Sequence, residues 1–167
     1  MGKGCDVVDA LAFQAEVKQV QKLLFRIAWS YMGNLQDVED VVQDAIGMAW
    51  AKRQTLRDER QFGAWISRIL ANRCKNVWRK RKLMSFFPLE EDSVTVDPPV
   101  IETPVEEALN SLAPELRLVM SLHYYDGYTI RQISESLGIP MGTIQTRLMR
   151  GRKKLKEILS VEWEVEV

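Results

Sequence analysis

Thr129-Ile-Arg-Gln-Ile-Ser-Glu-Ser-Leu-Gly-Ile-Pro-Met-Gly-Thr-Ile-Gln-Thr-Arg-Leu-Met-Arg-Gly-Arg-Lys-Lys-Leu155 is the stretch on which the reading of this chain turns. Ile130, Ile133 and Leu137 fall at three- and four-residue steps and predict one face of a short helix. Thr129 and Gln132 have the spacing of a capping box, with Thr129 as N-cap and Gln132 reaching back. Gly138 can take the positive φ that a tight turn needs. Ile139 plugs the turn, and Pro140 pre-sets the next helix. Ile144, Leu148, Gly151 and Leu155 then line one side of that second helix. Two short helices around a glycine turn predict a helix-turn-helix, whose second helix enters the DNA major groove. Its other side carries Gly142, Thr146, Met149, Arg150 and Lys153, flanked by Thr143, Gln145 and Arg147. Gln pairs with adenine, Arg with guanine, Thr with a base edge or a phosphate, and Met touches a thymine methyl. Gly142 lets the helix N-terminus approach a phosphate closely. A helical hairpin in an ordinary bundle uses the same spacing, but the basic residues that follow favour DNA. His123, just before the turn, reads first as a surface or partly buried imidazole and second as a DNA contact.

Outward from this motif, the charges are segregated although the chain has no net charge. Arg73–Lys82 holds six basic residues and no acid, Leu83–Leu116 eight acids and no base, and Arg147–Lys156 six bases and no acid. This predicts two polyanion-facing surfaces separated by an acidic spacer. Within the spacer, residues 85–104 hold four of the six prolines, Pro88, Pro98, Pro99 and Pro104, so regular helix is not expected there. The organisation expected is a domain over 1–84, a linker over 85–104 and a second domain over 105–161. Phe86, Phe87 and Leu89 are apolar enough to dock on something, and the tail 162–167 is expected to fray.

The first domain reads as helical. Phe13, Val17, Val20, Leu24, Ile27 and Tyr31 form one helix face, and Gly33-Asn34 ends it. A second helix is expected over about 36–52, with Val38, Val41, Ala45 and Met48 inward. A third starts near Gln61 and buries Phe62, Ile66, Leu70, Cys74 and Val77. Its other side gathers Trp65, Arg68, Asn72, Lys75, Asn76 and Arg79. Amides read base edges, cations hold phosphates and aromatics stack on unpaired bases. In the second domain Pro114 opens a helix with Leu118, Leu122 and Tyr125 inward, and Asp126-Gly127 marks a turn. The fold class expected is all-α, with two small helical domains.

Several function classes are excluded by composition. The apolar residues suffice for a core, yet no run reaches the length of a membrane span, and the start lacks a signal peptide. Two cysteines and one histidine make a disulfide framework, a zinc site or a Cys/His nucleophile improbable. No catalytic residue, cofactor, metal or small-molecule substrate is expected, and the location expected is the cytoplasm. A helical enzyme would need a cluster of catalytic groups, whereas His123 stands alone. A helix-turn-helix regulator acting without polymerase is the nearest alternative and would need a dimer surface.

Two motifs combine into a resemblance. Asp37-Val-Glu-Asp-Val-Val-Gln-Asp-Ala45, Phe62-Gly-Ala-Trp-Ile-Ser-Arg-Ile-Leu-Ala-Asn72 and the basic end after it resemble region 2 of bacterial sigma factors. Leu112-Ala-Pro-Glu-Leu-Arg117, Tyr128-Thr-Ile-Arg-Gln-Ile-Ser134 and Gly142–Arg152 resemble region 4. The short chain without a middle domain is similar to the extracytoplasmic function subgroup. The resemblance implies a non-catalytic initiation subunit. By it, Asp40, Gln43 and Asp44 meet core RNA polymerase at the clamp helices of its largest subunit. Asn72, Lys75, Asn76 and Arg79 lie at the minus-ten element of promoter DNA, and the Arg53–Arg60 loop, with Arg53 and Arg57, holds a flipped base. His123, Thr143, Gln145, Thr146, Arg147, Met149, Arg150 and Lys153 lie at the minus-thirty-five element. It also implies silencing by an anti-sigma factor, often membrane-bound.

Overall fold

The computed structural model describes residues 10–85 and 103–164, with side chains as far as Ser160. Among the described residues every regular element is helical, so the fold is all-α. They divide into two compact units, one built on three helices and the other on four.

In the first unit α1 spans Ala10–Met32 and buries Phe13, Leu24, Ile27 and Tyr31. Gly33 takes φ +76° and ends it, because a Cβ is disfavoured in that conformation. Asn34 is extended and caps the next helix, accepting a hydrogen bond from the Asp37 N–H at 2.9 Å. This second helix, α2, spans Leu35–Ala51 and buries Val38, Val41, Val42, Ala45 and Ala49. Met48, expected inward, is 39% exposed. At about 100° per residue it lies just outside the buried stripe, whose centre Val38 and Ala45 occupy. Two single-turn 3₁₀ helices, Arg53–Thr55 and Glu59–Gln61, lead to α3, Phe62–Met84. Phe62, Ile66, Leu70 and Cys74 are buried along it. Each of the three helices packs against the other two. A fully buried Leu or Ile of this kind contributes about 1.5–3 kcal/mol.

The second unit opens with α4, Pro104–Asn110, capped by Thr103. Pro104, placed in the expected linker, therefore opens a helix with Thr103 as its extended cap, because proline is tolerated in a first turn, where its missing N–H has no partner to lose. The rest of that linker from residue 86 to 102, with Phe86, Phe87 and Leu89, lies outside the described residues. Helix α5 spans Pro114–Tyr124, α6 Ile130–Leu137 and α7 Met141–Glu164. The core holds Leu109, Leu112, Leu118, Val119, Leu122, Ile133, Ile144 and Leu148. Tyr125, expected inward, is 57% exposed, because α5 has ended and the chain is turning toward Gly127. Val119, beside Leu118 and Leu122, is buried as well. The guanidinium of Arg117 closes the end of α4, donating to the carbonyls of Leu109 at 3.1 Å, Leu112 at 2.8 Å and Asn110. Helix α7 packs against α4 and α5 and continues to Glu164, into the stretch expected to fray. Residues 165–167 lie outside the described residues.

Candidate nucleic-acid interface

The turn between α6 and α7 is built by local bonds. The Gln132 N–H donates to Thr129 Oγ1 at 3.2 Å, and the Thr129 N–H donates to Gln132 Oε1 at 2.9 Å, which closes the capping box both ways. Gly138 has φ +64°, and Ser134 Oγ donates to the Ile139 carbonyl at 2.6 Å. The N–H groups of Thr143 and Ile144 bond to the Pro140 carbonyl, which starts α7. Ile133, Leu137, Ile144, Leu148 and Gly151 are buried, so the opposite side of α7 is set by helical geometry. Gly142, Thr143, Gln145, Met149, Arg150 and Lys153 are exposed there.

Three further candidates are less available. Thr146 is half-buried and its hydroxyl donates to the Gly142 carbonyl at 2.9 Å. The Arg147 side chain is 20% exposed, with its guanidinium 3.9 Å from the Glu115 carboxylate of α5. His123 is half-buried, with Nδ1 2.7 Å from the Tyr128 carbonyl. A carbonyl only accepts, so Nδ1 carries the proton and the imidazole ties the end of α5 to the loop before α6. This arrangement matches the partly buried imidazole.

On α3, Asn72, Asn76 and Arg79 are exposed and Lys75 is half-buried. Trp65 is half-buried in an aromatic chain: its ring centroid lies 5.8 Å from Phe62, Phe62 is 5.5 Å from Phe13, and Phe13 is 5.1 Å from Trp50. That is packing, as expected for an amphipathic aromatic at a core edge. The connection before α3 splits its arginines. Arg53 turns inward over the Trp50 ring, 4.0 Å from its centroid, and donates to the Trp50 carbonyl at 2.8 Å. Arg57 is exposed. Phe13, Leu56, Phe62 and Trp65, with Arg53, Glu16 and Glu59 among the lining groups, enclose a cleft of about 80 Å³.

The basic run of α3 is partly spent inside the protein. Arg73 donates to Asp44 at 2.8 Å and Arg81 to Asp37 at 2.9 Å, so two of its six cations meet acids of α2 and not a polyanion. The Arg81 guanidinium holds the Asp37 carboxyl below its ordinary range, helped by Asn34. Asp40, Gln43 and Asp44 stand exposed on one side of α2. Burial pushes the Cys74 thiol up to about 12, which removes it as a nucleophile near neutral pH. Among the described residues no cluster of His, Cys, Asp or Glu has the makings of a metal site.

Asp37, Arg73, Arg81, Glu115 and Arg117 were not singled out by the sequence as structural partners. Only Asp37 left a local signal, as an acid three residues after the N-capping Asn34.

The family descriptions that match are sigma-70 region 2, over residues 17–83, and sigma-70 region 4, over residues 103–155. The chain is 29% identical over 175 residues to the ECF RNA polymerase sigma factor SigE of Mycolicibacterium smegmatis, covering 94% of this chain and 68% of that protein. It is 26% identical to the ECF RNA polymerase sigma factor SigW of Bacillus subtilis, covering 90% of each. Among solved structures it resembles the sigma factor RpoE bound to the anti-sigma factor NepR from Bartonella quintana. The TM-score there is 0.63, at 28% identity over 89% of this chain and 97% of that one. CnrH in complex with the cytosolic domain of CnrY also gives 0.63, at 25% identity over 92% and 90%.

Proposed function

The chain belongs to the sigma-70 family, in its extracytoplasmic function group, and from that premise we propose how its residues divide the work of initiation. It is an alternative sigma factor that binds core RNA polymerase and directs promoter-specific transcription initiation. The family is one of non-catalytic initiation factors, and this chain has no catalysis of its own in our reading. Residues 1–84 act on the polymerase and the minus-ten element, residues 105–161 on the minus-thirty-five element, and 85–104 join them. On α7, Gln145, Met149 and Arg150 read base edges, while Thr143 and Lys153 hold phosphates. Arg147 acts from a position shared with Glu115, and His123 supports the turn. On α3, Asn72, Asn76 and Arg79, with Lys75 beside them, hold the nontemplate strand once its bases leave the stack; Arg57 and the loop before α3 hold a flipped base. Extrusion costs a few kcal/mol per base, so open DNA is favoured only through contacts that closed DNA lacks.

The observation that carries this reading is the reciprocally capped turn that leaves one polar side of α7 exposed, in a chain matched by both regions. An anti-sigma factor as regulator is supported by the solved relative bound to NepR. Work in the cytoplasm, where polymerase acts, agrees with the lack of any described helix long and apolar enough to cross a membrane. The test is retention of host DNA fragments by core polymerase, by this chain, and by the two together. A defined subset held only by the mixture is expected. Equal retention of that subset by the chain alone would favour a regulator acting without polymerase.

A further inference from the structure

Helix α2 carries a row of three carboxylates at steps of three and four residues: Asp37, Asp40 and Asp44. Like charges so spaced repel one another. Helix α3 answers two of them. Arg81 Nη1 donates to Asp37 Oδ2 at 2.9 Å, and Arg73 donates to Asp44 Oδ2 through Nη2 at 2.8 Å and Nε at 3.2 Å. Midway between Arg73 and Arg81 the helix offers apolar Val77, and Asp40 has no ion pair among the described residues. At about 100° per residue, Asp40 is also turned roughly 50° outward from the other two.

We propose that Arg73 and Arg81 are positioning residues for polymerase binding. They neutralise and fix Asp44 and Asp37, so that Asp40 is the one uncompensated carboxylate of the row and meets a cationic side chain of the polymerase. This rests on the reading of Asp40, Gln43 and Asp44 as the polymerase-facing side. Two guanidinium bridges two helical turns apart also hold α2 in register on α3. Less ordering then remains to be done on binding, and a wrongly placed second negative charge is kept out of the contact.

The full chain is titrated with core polymerase at several salt concentrations, with thermal melts beside it. Asp40→Asn should weaken binding about tenfold, flatten its salt dependence and leave the melt no lower than that of the wild type. Arg73→Gln should weaken binding by exposing Asp44, Arg73→Lys should weaken it less, and the double variant with Asp44→Asn should recover affinity. Wild-type binding by Asp40→Asn, while Gln43→Ala weakens it, would overturn the proposal and leave the face standing. A double variant as weak as Arg73→Gln alone would overturn it too. Unchanged affinity in all of Asp40→Asn, Gln43→Ala and Asp44→Asn would remove the face itself, and the proposal with it.

Discussion

Arg150 and Lys153 lie on the exposed side of α7, yet their chemistry differs. A planar guanidinium can grip a guanine edge with two bonds, whereas an ammonium acts as a point charge on phosphate. Arg150→Ala should therefore cost about 1–3 kcal/mol of promoter binding and relax preference at one base pair. Lys153→Ala should lower affinity evenly and reduce the salt slope by about 0.9. Binding titrations on a panel of single-base promoter variants check both; an unchanged ranking for Arg150→Ala would remove its base-reading role. In the first unit, Asn76→Ala should slow open-complex formation on duplex promoter and matter much less on a template mismatched across the minus-ten element. Equal defects on both templates would place Asn76 in folding or polymerase binding. At this scale the sequence is readable where a role depends on a residue and its near neighbours, as with Thr129 and Gln132. It is not readable where partners come from different helices: Arg81 and Asp37 are 44 positions apart, Arg73 and Asp44 29. A cation in a basic run carries no mark that an acid on another helix will claim it. His123 was ambiguous for the same reason, since its partner is set by the path of the loop.

Two glycines of α7 separate packing from propensity. A Cβ at Gly151 would lie 2.8 Å from Met120 Cγ and 2.9 Å from its sulfur, near the root of a buried side chain. Gly151→Ala should thus lower stability by about 1–2 kcal/mol, since overpacking outweighs the better helix propensity of alanine. At Gly142 a Cβ meets nothing. Gly142→Ala should raise stability by up to about 1 kcal/mol, while DNA affinity falls if the backbone there approaches a phosphate. Denaturant melts and a binding titration on the same two variants decide the point. Between α2 and α3, the lowered Asp37 pKa has a sign that can be checked. A carboxylate depressed in the folded state adds stability above its unfolded value and loses it as pH falls through the folded one. The difference in melting temperature between wild type and Asp37→Asn should be present at neutral pH and close in acid; a gap that persists below both values would deny the ion pair its role. Helix faces were legible because their period is local: Phe13, Leu24, Ile27 and Tyr31 of α1 and Phe62, Ile66, Leu70 and Cys74 of α3 are buried, whereas Val17, Val20 and Val77 are half-buried. The misreadings fall at edges and ends. Met48 sits at the margin of its stripe and Tyr125 just past its helix, where period no longer dictates burial.

Across the whole molecule, the two basic runs fall in separate units, Arg73–Lys82 in one and Arg147–Lys156 in the other. A region 2 match and a region 4 match occupy different parts of one chain, and each unit has its own buried core. The acidic stretch between them carries charge of the sign that DNA repels, which suits a connection and not a contact. The all-α class and the order of the two motifs were legible because both rest on short-range spacing. The pairing of Arg73 and Arg81 of α3 with acids of α2 was not, because it depends on how three helices pack. The central claim is that this chain makes core polymerase choose promoters. Its most direct test is runoff transcription by purified core polymerase on a library of host genomic fragments, with and without the chain, with start sites mapped. The account predicts transcripts from a small set of defined positions that require the chain, share two upstream elements and are weakened by Arg150→Ala or Asn76→Ala. Transcription that starts at no defined site on any host promoter would contradict it.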